Sequence, residues 1–155
     1  MTDIALNFDP AAQTADIALV DGDLATDDGL MTALIVSIFT DARARPDDVL
    51  PEPGADPRGW WGDAFNEDPN DAIGSRLWLL RREKLTAATA LKARDMITEA
   101  LDWLVQDGVV RELTVATEII RPDALRASVT LSRPDGPARQ RFDFVWDATQ
   151  RSLAA

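Results

Sequence analysis

The chain has 155 residues, of which 46% are hydrophobic and 28% charged, and this composition is typical of one folded domain rather than a disordered chain. It has no cysteine and no histidine, so disulfides, thiol catalysis, cysteine-ligated zinc and the Ser/His/Asp triad are excluded. The net charge is −11, and residues 1–72 are the acidic part, with 16 acids and 3 arginines (−13), while residues 73–155 carry +2. An acidic surface of this kind repels nucleic acid, attracts a basic protein partner or simply keeps the protein soluble.

The first part of the chain predicts two short strands and a helix. Alternating residues indicate a strand at 16–20, before the turn Asp21-Gly22-Asp23, and a shorter extended piece at 4–8. Asp27 or Asp28 can cap a helix that runs to about Ala42. Its apolar stripe, residues 30–39, is too short to span a bilayer, and residues 1–10 lack a signal peptide's basic region, so we expect no membrane segment.

Residues 43–72 predict a long irregular loop, because five prolines and three glycines interrupt every periodic pattern. Near its middle lies the sequence RGWWGD, which places Trp60 and Trp61 side by side between glycines. Either the two indoles fold back and fill a gap over the core, or they anchor a protein partner, since tryptophan is enriched at binding hot spots. Both interpretations stay open from the sequence.

Two further helices are predicted after the loop. One begins near residues 73–75 and carries the apolar run 77–80 before the basic cluster Arg81-Arg82-Glu83-Lys84. The other is about 20 residues long, with Thr86 as its N-cap and Asp107-Gly108 as its end. Trp78 and Trp103 lie on these helices among apolar neighbours, so we expect both to be buried.

Beyond Gly108 apolar residues occur at every second position instead of at helical spacing, and this pattern predicts strands. Alternation at 113–119 and 125–131 gives two strands, and a turn at 134–137 leads to a third that buries Phe142, Phe144 and Trp146. We therefore predict a single α+β domain over residues 1–155. Its antiparallel meander of three strands, or four with the amino-terminal strand, packs on two or three helices.

Few side chains suggest chemistry. Asp63, Glu67, Asp68 and Asp71 lie close together in the loop and could supply the carboxylate pair of a glycosidase, but nothing around them singles out a pair. The same acids match no calcium-loop spacing, and no glycine-rich phosphate loop is present. We predict no catalytic residue, no cofactor and no metal.

Several motifs resemble one family when they are taken in order. They are DIAL, DDGLMTALIVSIFTDARA, RGWWGD, GSRLWLLRREK, EALDWLVQDGV and RELTVAT. This order resembles the small tail protein family of Mu-like phages of the protein forty-six type, which are baseplate components of contractile tails. The resemblance extends from about Asp3 to Trp146.

A more distant resemblance is to the baseplate wedge proteins called lysozyme-like. In that group a Gly-x-Arg stretch precedes the long helix, as Gly74-Ser75-Arg76 does here, whereas the group's Glu-Pro-Arg is replaced by residues 106–109, QDGV. The contact made by that missing motif is therefore not carried over. No carboxylate pair supports the lysozyme-like label in this chain.

The resemblance implies a non-enzymatic structural subunit of a contractile tail baseplate, made in the host cytoplasm and located in the virion tail. Its implied partners are a larger wedge protein and the tube or sheath, with no nucleic acid and no membrane. We expect several copies per particle, with a monomer allowed for the isolated protein. The alternative is a tail-associated cell-wall glycosidase that uses the loop carboxylates. Our candidate interface residues are Trp60, Trp61, Asp63, Gly74, Ser75, Arg76, Arg81 and Arg82.

Overall fold

The computed structural model of the chain describes residues 3–9, 14–27, 30–67, 72–134 and 139–147. It confirms the α+β prediction. The strands are β1 (Asp3–Ile4), β2 (Leu6–Asp9), β3 (Thr14–Ile17), β4 (Leu19–Val20), β5 (Asp23–Leu24), β6 (Thr26–Asp27), β7 (Glu112–Arg121), β8 (Ala124–Ser132) and β9 (Gln140–Asp147). The helices are α1 (Leu30–Phe39), α2 (Ala87–Leu101) and α3 (Trp103–Gln106), with single 3-10 turns at Trp61–Phe65 and Leu77–Leu80.

The predicted meander is present as an antiparallel sheet in the order β7-β8-β9. Its inner face carries the apolar residues of the alternating pattern, and α1 and α2 cover that face to close the core. Ile119, at the end of the alternating run of β7, is 37% exposed although it pairs in register with the buried Leu125. The register shifts just after it, between Ile119 and Arg121, and a period-two pattern does not foresee such an irregularity. The predicted turn at 134–137 falls largely outside the described residues.

Helix α2 confirms the predicted N-cap. The hydroxyl oxygen of Thr86 accepts a hydrogen bond from the amide of Thr89 at 3.2 Å. The helix then buries Ala93, Ile97 and Leu101 completely. It is shorter than predicted, because its last turn tightens and the chain continues as the separate four-residue helix α3.

The bounds of the other two predicted helices are wrong in detail. Asp27 closes β6, but its side chain and all of Asp28 lie outside what the structure describes, so the predicted cap of α1 stays a prediction. Helix α1 stops at Phe39 rather than Ala42, because the chain then runs beside Ser75. For the same reason no helix begins at 73–75, and the buried run 77–80 forms only a 3-10 turn.

The amino-terminal arm, residues 3–27, does not add a fourth strand to the meander. In the described part of the arm the strands pair only with one another, as β1–β6, β2–β3 and β4–β5. The arm contacts the core through α1, where the Thr32 hydroxyl donates to the Ile4 carbonyl oxygen at 3.0 Å. Among the described residues, no helix is long and apolar enough to cross a membrane.

Replacing Leu101 by alanine should lower the free energy of unfolding by about 2–5 kcal/mol, because the side chain is fully buried between α2 and the rest of the core. Leu91→Ala on the same helix is the matched control, since Leu91 is 51% exposed and its loss should change stability by less than about 0.5 kcal/mol. Urea denaturation of both variants measures the difference, and equal stabilities would contradict this account of the core.

Candidate protein interface

The long loop is closed by a short two-sided contact that we call the loop clamp, formed by residues 40–42 and 74–75. Ser75 donates its amide to the Thr40 carbonyl at 2.9 Å and accepts the Ala42 amide at 2.9 Å, as in parallel strands. Its hydroxyl donates to the Ile38 carbonyl at the end of α1, at 2.6 Å. Ser75 is 3% exposed, so this candidate residue fixes the base of the loop from inside.

Gly74 lets the clamp close. Its φ of +99° lies in the region that favours glycine, and a Cβ added there would overlap the Thr40 carbonyl oxygen. Both features require glycine at this position. The candidate residues Gly74 and Ser75 therefore act together on the shape of the loop.

Arg76 ties the loop to α2. Its Nη1 donates to both carboxylate oxygens of Asp48 at 2.7 and 2.9 Å, and its Nη2 donates to Glu99 at 2.8 Å. Glu99 also pairs with Arg45, whose amide donates to Asp48 at 2.7 Å. The side chains of Arg76 and Asp48 are each only 14% exposed. The structure therefore places Arg76 in an internal ion-pair network, with both Nη atoms bonded within the chain.

The charges of this network stabilise one another. Burial alone would raise the pKa of Asp48, but the hydrogen bonds from the Arg45 amide and the Arg76 guanidinium outweigh it and lower that pKa. Burial would likewise lower the pKa of Arg76, and the two carboxylates reverse that effect. Asp48 therefore stays ionised down to lower pH in the folded chain than in the unfolded one.

Trp78 is buried, as predicted, at 3% exposure. Its indole N–H donates to the Ala42 carbonyl oxygen at 2.8 Å, next to the loop clamp. The guanidinium of Arg58 lies 4.5 Å from the centre of the Trp78 ring and pairs with Asp41. Arg58, the first residue of RGWWGD, is thereby fixed on the core. Its own backbone has a φ of +58°.

Beyond Arg58 the loop presents an exposed aromatic patch, formed by Trp60, Trp61 and Phe65. Trp61 is 74% exposed, Phe65 78% and Trp60 44%. The Trp60 and Trp61 rings are 5.5 Å apart, and Trp61 and Phe65 are 6.1 Å apart, edge to face. A Cβ on Gly62 would overlap the Trp60 ring, so Gly62 gives that ring its place. With this exposure, Trp61 does not fill a gap over the core.

Asp63 positions the turn that carries the patch. Its Oδ1 accepts the amide of Ile73, the residue before Gly74, at 3.2 Å. Its Oδ2 is buried and has no hydrogen-bond partner among the described residues. This candidate residue therefore connects the patch to the loop clamp.

The two remaining candidate arginines differ. Arg82 is exposed and pairs with Glu52 across the surface. Arg81 makes no side-chain hydrogen bond or ion pair with any described residue. Burial lowers the pKa of the Arg81 guanidinium, and Asp41 opposes this while the like charge of Arg58 adds to it. Arg81 is thus a half-buried cation whose charge is incompletely balanced.

An open groove of about 500 Å³ lies beside the aromatic patch, between α1 and the end of α2. Trp60 and Trp103 line it, together with Ser37, whose hydroxyl accepts the Trp103 indole N–H at 3.1 Å. The prediction that Trp103 is buried is wrong, because the residue remains 39% exposed at this groove. The position of Trp103 on a helix, among apolar residues, did not reveal that the neighbouring surface between α1 and α2 is uncovered.

The loop acids do not assemble a visible catalytic or metal site in the part of the chain that the structure describes. Asp63 is engaged with Ile73, Glu67 is exposed, and Asp68 and Asp71 lie outside the described residues. No three acids within the described ranges come together as a metal-binding group.

Two features of this region were missed by sequence reasoning. Phe65 belongs to the aromatic patch, and its spacing of four from Trp61 within a short helical turn is the signal that could have found it. The pairing of Asp48 with Arg76 joins residues far apart in sequence, and no local pattern marks it.

Comparison with known proteins identifies relatives over most of the chain. The family model described as Phage protein GP46 matches residues 30–138. The chain is 43% identical to the baseplate protein gp46 of Escherichia phage Mu over 136 residues, covering 88% of this chain and 90% of that protein. It is 33% identical to the Mu-like prophage FluMu protein gp46 of Haemophilus influenzae over 141 residues, covering 91% and 94%.

Gly74→Ala should lower the free energy of unfolding by roughly 2–4 kcal/mol. Alanine is strained at the positive φ of this position, and its Cβ would in addition overlap the carbonyl oxygen of Thr40. Gly54→Ala is the matched control. Gly54 has a φ of +75° with nothing within 4 Å of the added Cβ, so its cost should be only about 1 kcal/mol. Thermal or urea unfolding compares the two, and equal losses would show that the clamp tolerates a side chain.

Asp48→Asn should lower the free energy of unfolding at pH 7 by about 1–3 kcal/mol, through loss of the charged hydrogen bonds to Arg76 and Arg45. Because folding lowers the pKa of Asp48, the wild-type advantage is complete above about pH 5 and disappears as the pH falls below about 4. Urea titrations from pH 7 to pH 3 measure this.

The control for that series is Glu52→Gln, which breaks the exposed pair with Arg82 and should change stability by less than about 0.5 kcal/mol. A difference between wild type and Asp48→Asn that stays constant down to pH 3 would contradict the assigned ion pair.

Proposed function

Because the chain belongs to the Phage protein GP46 family and has a structural role in a phage baseplate, we propose that it acts by binding a larger wedge protein and joining it to the tube or sheath. The chain performs no catalysis in this role. It resides in the virion tail baseplate after synthesis in the host cytoplasm, in several copies per particle.

The aromatic patch carries this proposal. Trp61 and Phe65 hold more than 70% of their surface open to water, which is costly for a soluble protein unless a partner covers them. A few residues carry most of the binding energy at protein interfaces, and tryptophan is enriched among them because it offers a large contact area with few rotatable bonds. The patch therefore has the composition of an interface anchor.

The support beneath the patch is equally relevant. Trp60 lies over Gly62, Asp63 is bonded to Ile73, and Arg58 is fixed on Trp78. Because these contacts hold the turn before any partner arrives, less conformational entropy is lost on binding. The candidate residues of the loop thus divide into anchors that touch the partner and residues that hold the anchors in place.

The alternative function, a tail-associated glycosidase, gains no observation in its favour. Its best-placed carboxylate, Asp63, has one oxygen bonded to the chain and the other buried. A general acid or base must reach the substrate, so this placement serves the turn rather than a reaction.

The test is co-expression with the larger baseplate protein from the same tail gene cluster, followed by pull-down and titration. Trp61→Ala/Phe65→Ala should fold normally and bind at least about 30-fold more weakly, since two exposed anchors are lost. Leu91→Ala/Val105→Ala removes two other exposed apolar side chains, 51% and 40% open, and should bind like wild type.

Wild-type affinity in the patch variant would show that the anchor lies elsewhere. Failure of the wild-type chain to bind the larger baseplate protein would overturn the proposed assembly itself.

A further inference from the structure

The open groove between α1 and the end of α2 is lined by two tryptophans that lie far apart in the sequence. Trp60 comes from the long loop and Trp103 from α3, and both line the same space of about 500 Å³. Trp60 is 44% exposed and Trp103 39%, so the chain itself covers neither indole completely. A concave surface lined by aromatic side chains and a few polar groups is the usual form of a binding site.

Both rings are held in place by contacts within the chain. The Trp60 ring packs against Gly62, where an added Cβ would overlap it. The indole N–H of Trp103 donates to the Ser37 hydroxyl at 3.1 Å. Because that N–H is already bonded, Trp103 offers the groove the surface of its ring rather than a hydrogen-bond donor. The groove therefore favours a ligand that uses ring surface, and the fixed rings lose little conformational entropy when it binds.

The charged side chains that line the groove are both acidic. They are Asp63 and Asp107, and none of the described residues around the groove is a lysine or an arginine. Neither carboxylate forms an ion pair with a described residue. Asp107 is exposed, and Asp63 has one buried oxygen without a hydrogen-bond partner in the described part of the chain. The groove therefore combines two indole rings with two carboxylates that no described cation contacts.

An adjoining groove of about 410 Å³ shares Trp103 but differs in charge. Three arginines line it, Arg43, Arg45 and Arg76, and the last two are paired with Glu99. The cations of this region thus lie in the adjoining groove, and the carboxylates without ion pairs lie beside the aromatic patch. This division of charge favours a positively charged ligand in the groove that contains Trp60.

We propose that this groove receives an arginine side chain of the larger baseplate protein, with the guanidinium packed against the indoles of Trp60 and Trp103. Asp107 balances its charge directly, and the negative charge of Asp63 adds to the attraction. A cation is attracted to the face of an indole ring. Arginine fits better than lysine, because its planar guanidinium stacks on aromatic rings and is more weakly hydrated than an ammonium group. The inference rests on the proposed function, since Trp60 joins the groove to the aromatic patch that the partner covers.

A small probe tests the groove without the partner. N-acetyl-arginine amide carries the proposed side chain, and N-acetyl-citrulline amide has nearly the same shape without the charge. In NMR spectra of the nitrogen-labelled full chain, the arginine probe should shift the indole N–H signals of Trp60 and Trp103 saturably at concentrations up to about 50 mM, because one side chain supplies only part of an interface. The citrulline probe should not. Absence of saturable shifts with the arginine probe, or equal shifts with both probes, overturns the proposal.

Asp107→Asn removes the exposed charge and keeps the shape of the side chain. It should weaken binding of both the arginine probe and the larger baseplate protein about threefold or more. Asp102→Asn is the matched control, because Asp102 is an exposed aspartate nearby that lines only the adjoining groove, and it should bind like wild type. Equal affinities of Asp107→Asn and wild type for the arginine probe would contradict the assigned site.

Trp103→Leu tests the aromatic part, since leucine keeps the groove apolar but has no ring face. It should weaken binding of the arginine probe about fivefold or more, with thermal unfolding to show that the variant is folded. A folded Trp103→Leu variant that binds the probe like wild type overturns the cation–π contact.

The two experiments separate this site from the proposed assembly. If the larger baseplate protein fails to bind wild type, the assembly is overturned, and the arginine and citrulline probes still decide the groove. If that protein binds wild type and Asp107→Asn equally well, the assembly stands and the arginine site is overturned.

Discussion

The hydrogen bonds between Ser75 and residues 38–42 are the constraint on which the rest of the structure depends. They join the end of α1 to the start of the buried 77–80 turn, and so close the long loop over the core. Closing a loop of this length costs about 3 kcal/mol of chain entropy, and three short hydrogen bonds with a buried serine offset it. Arg76 and Trp78 follow immediately and extend the same attachment to Asp48 and Ala42.

This arrangement reconciles an irregular loop with a fixed surface. A segment rich in proline and glycine has no regular hydrogen bonding of its own, so its conformation depends on contacts to the elements around it. Three contacts attach the loop at intervals along its length. Asp48 is bound to α2 through Arg76, Arg58 packs on the ring of Trp78, and Asp63 accepts the amide of Ile73. Between these attachments the side chains are free to face outward, and there the exposed aromatic residues occur.

Much of the fold followed from local patterns in the sequence. The three-stranded meander, the Thr86 cap and the buried face of α2 all follow from periodicity and capping, which depend on near neighbours. The missing helix at 73–75 and the early end of α1 did not, because both result from one pairing between residues 41 and 75. The candidate site behaved in the same way: its tryptophans were conspicuous in the sequence, but the exposure of Trp61 and the internal role of Arg76 depend on contacts that no local pattern specifies.

The bond between Asp63 and Ile73 gives the loop a mechanical property. A pull on the aromatic turn is transmitted through Ile73 to the adjoining Gly74 and Ser75, and from Ser75 to the carbonyl groups at the end of α1. The bond to Ile73 bypasses the covalent path through residues 66–72, as the contact of Arg58 with Trp78 bypasses residues 43–57. The aromatic turn is therefore attached to the core by two short routes, through Ile73 and Ser75 on one side and through Arg58 and Trp78 on the other, rather than only through the length of the loop.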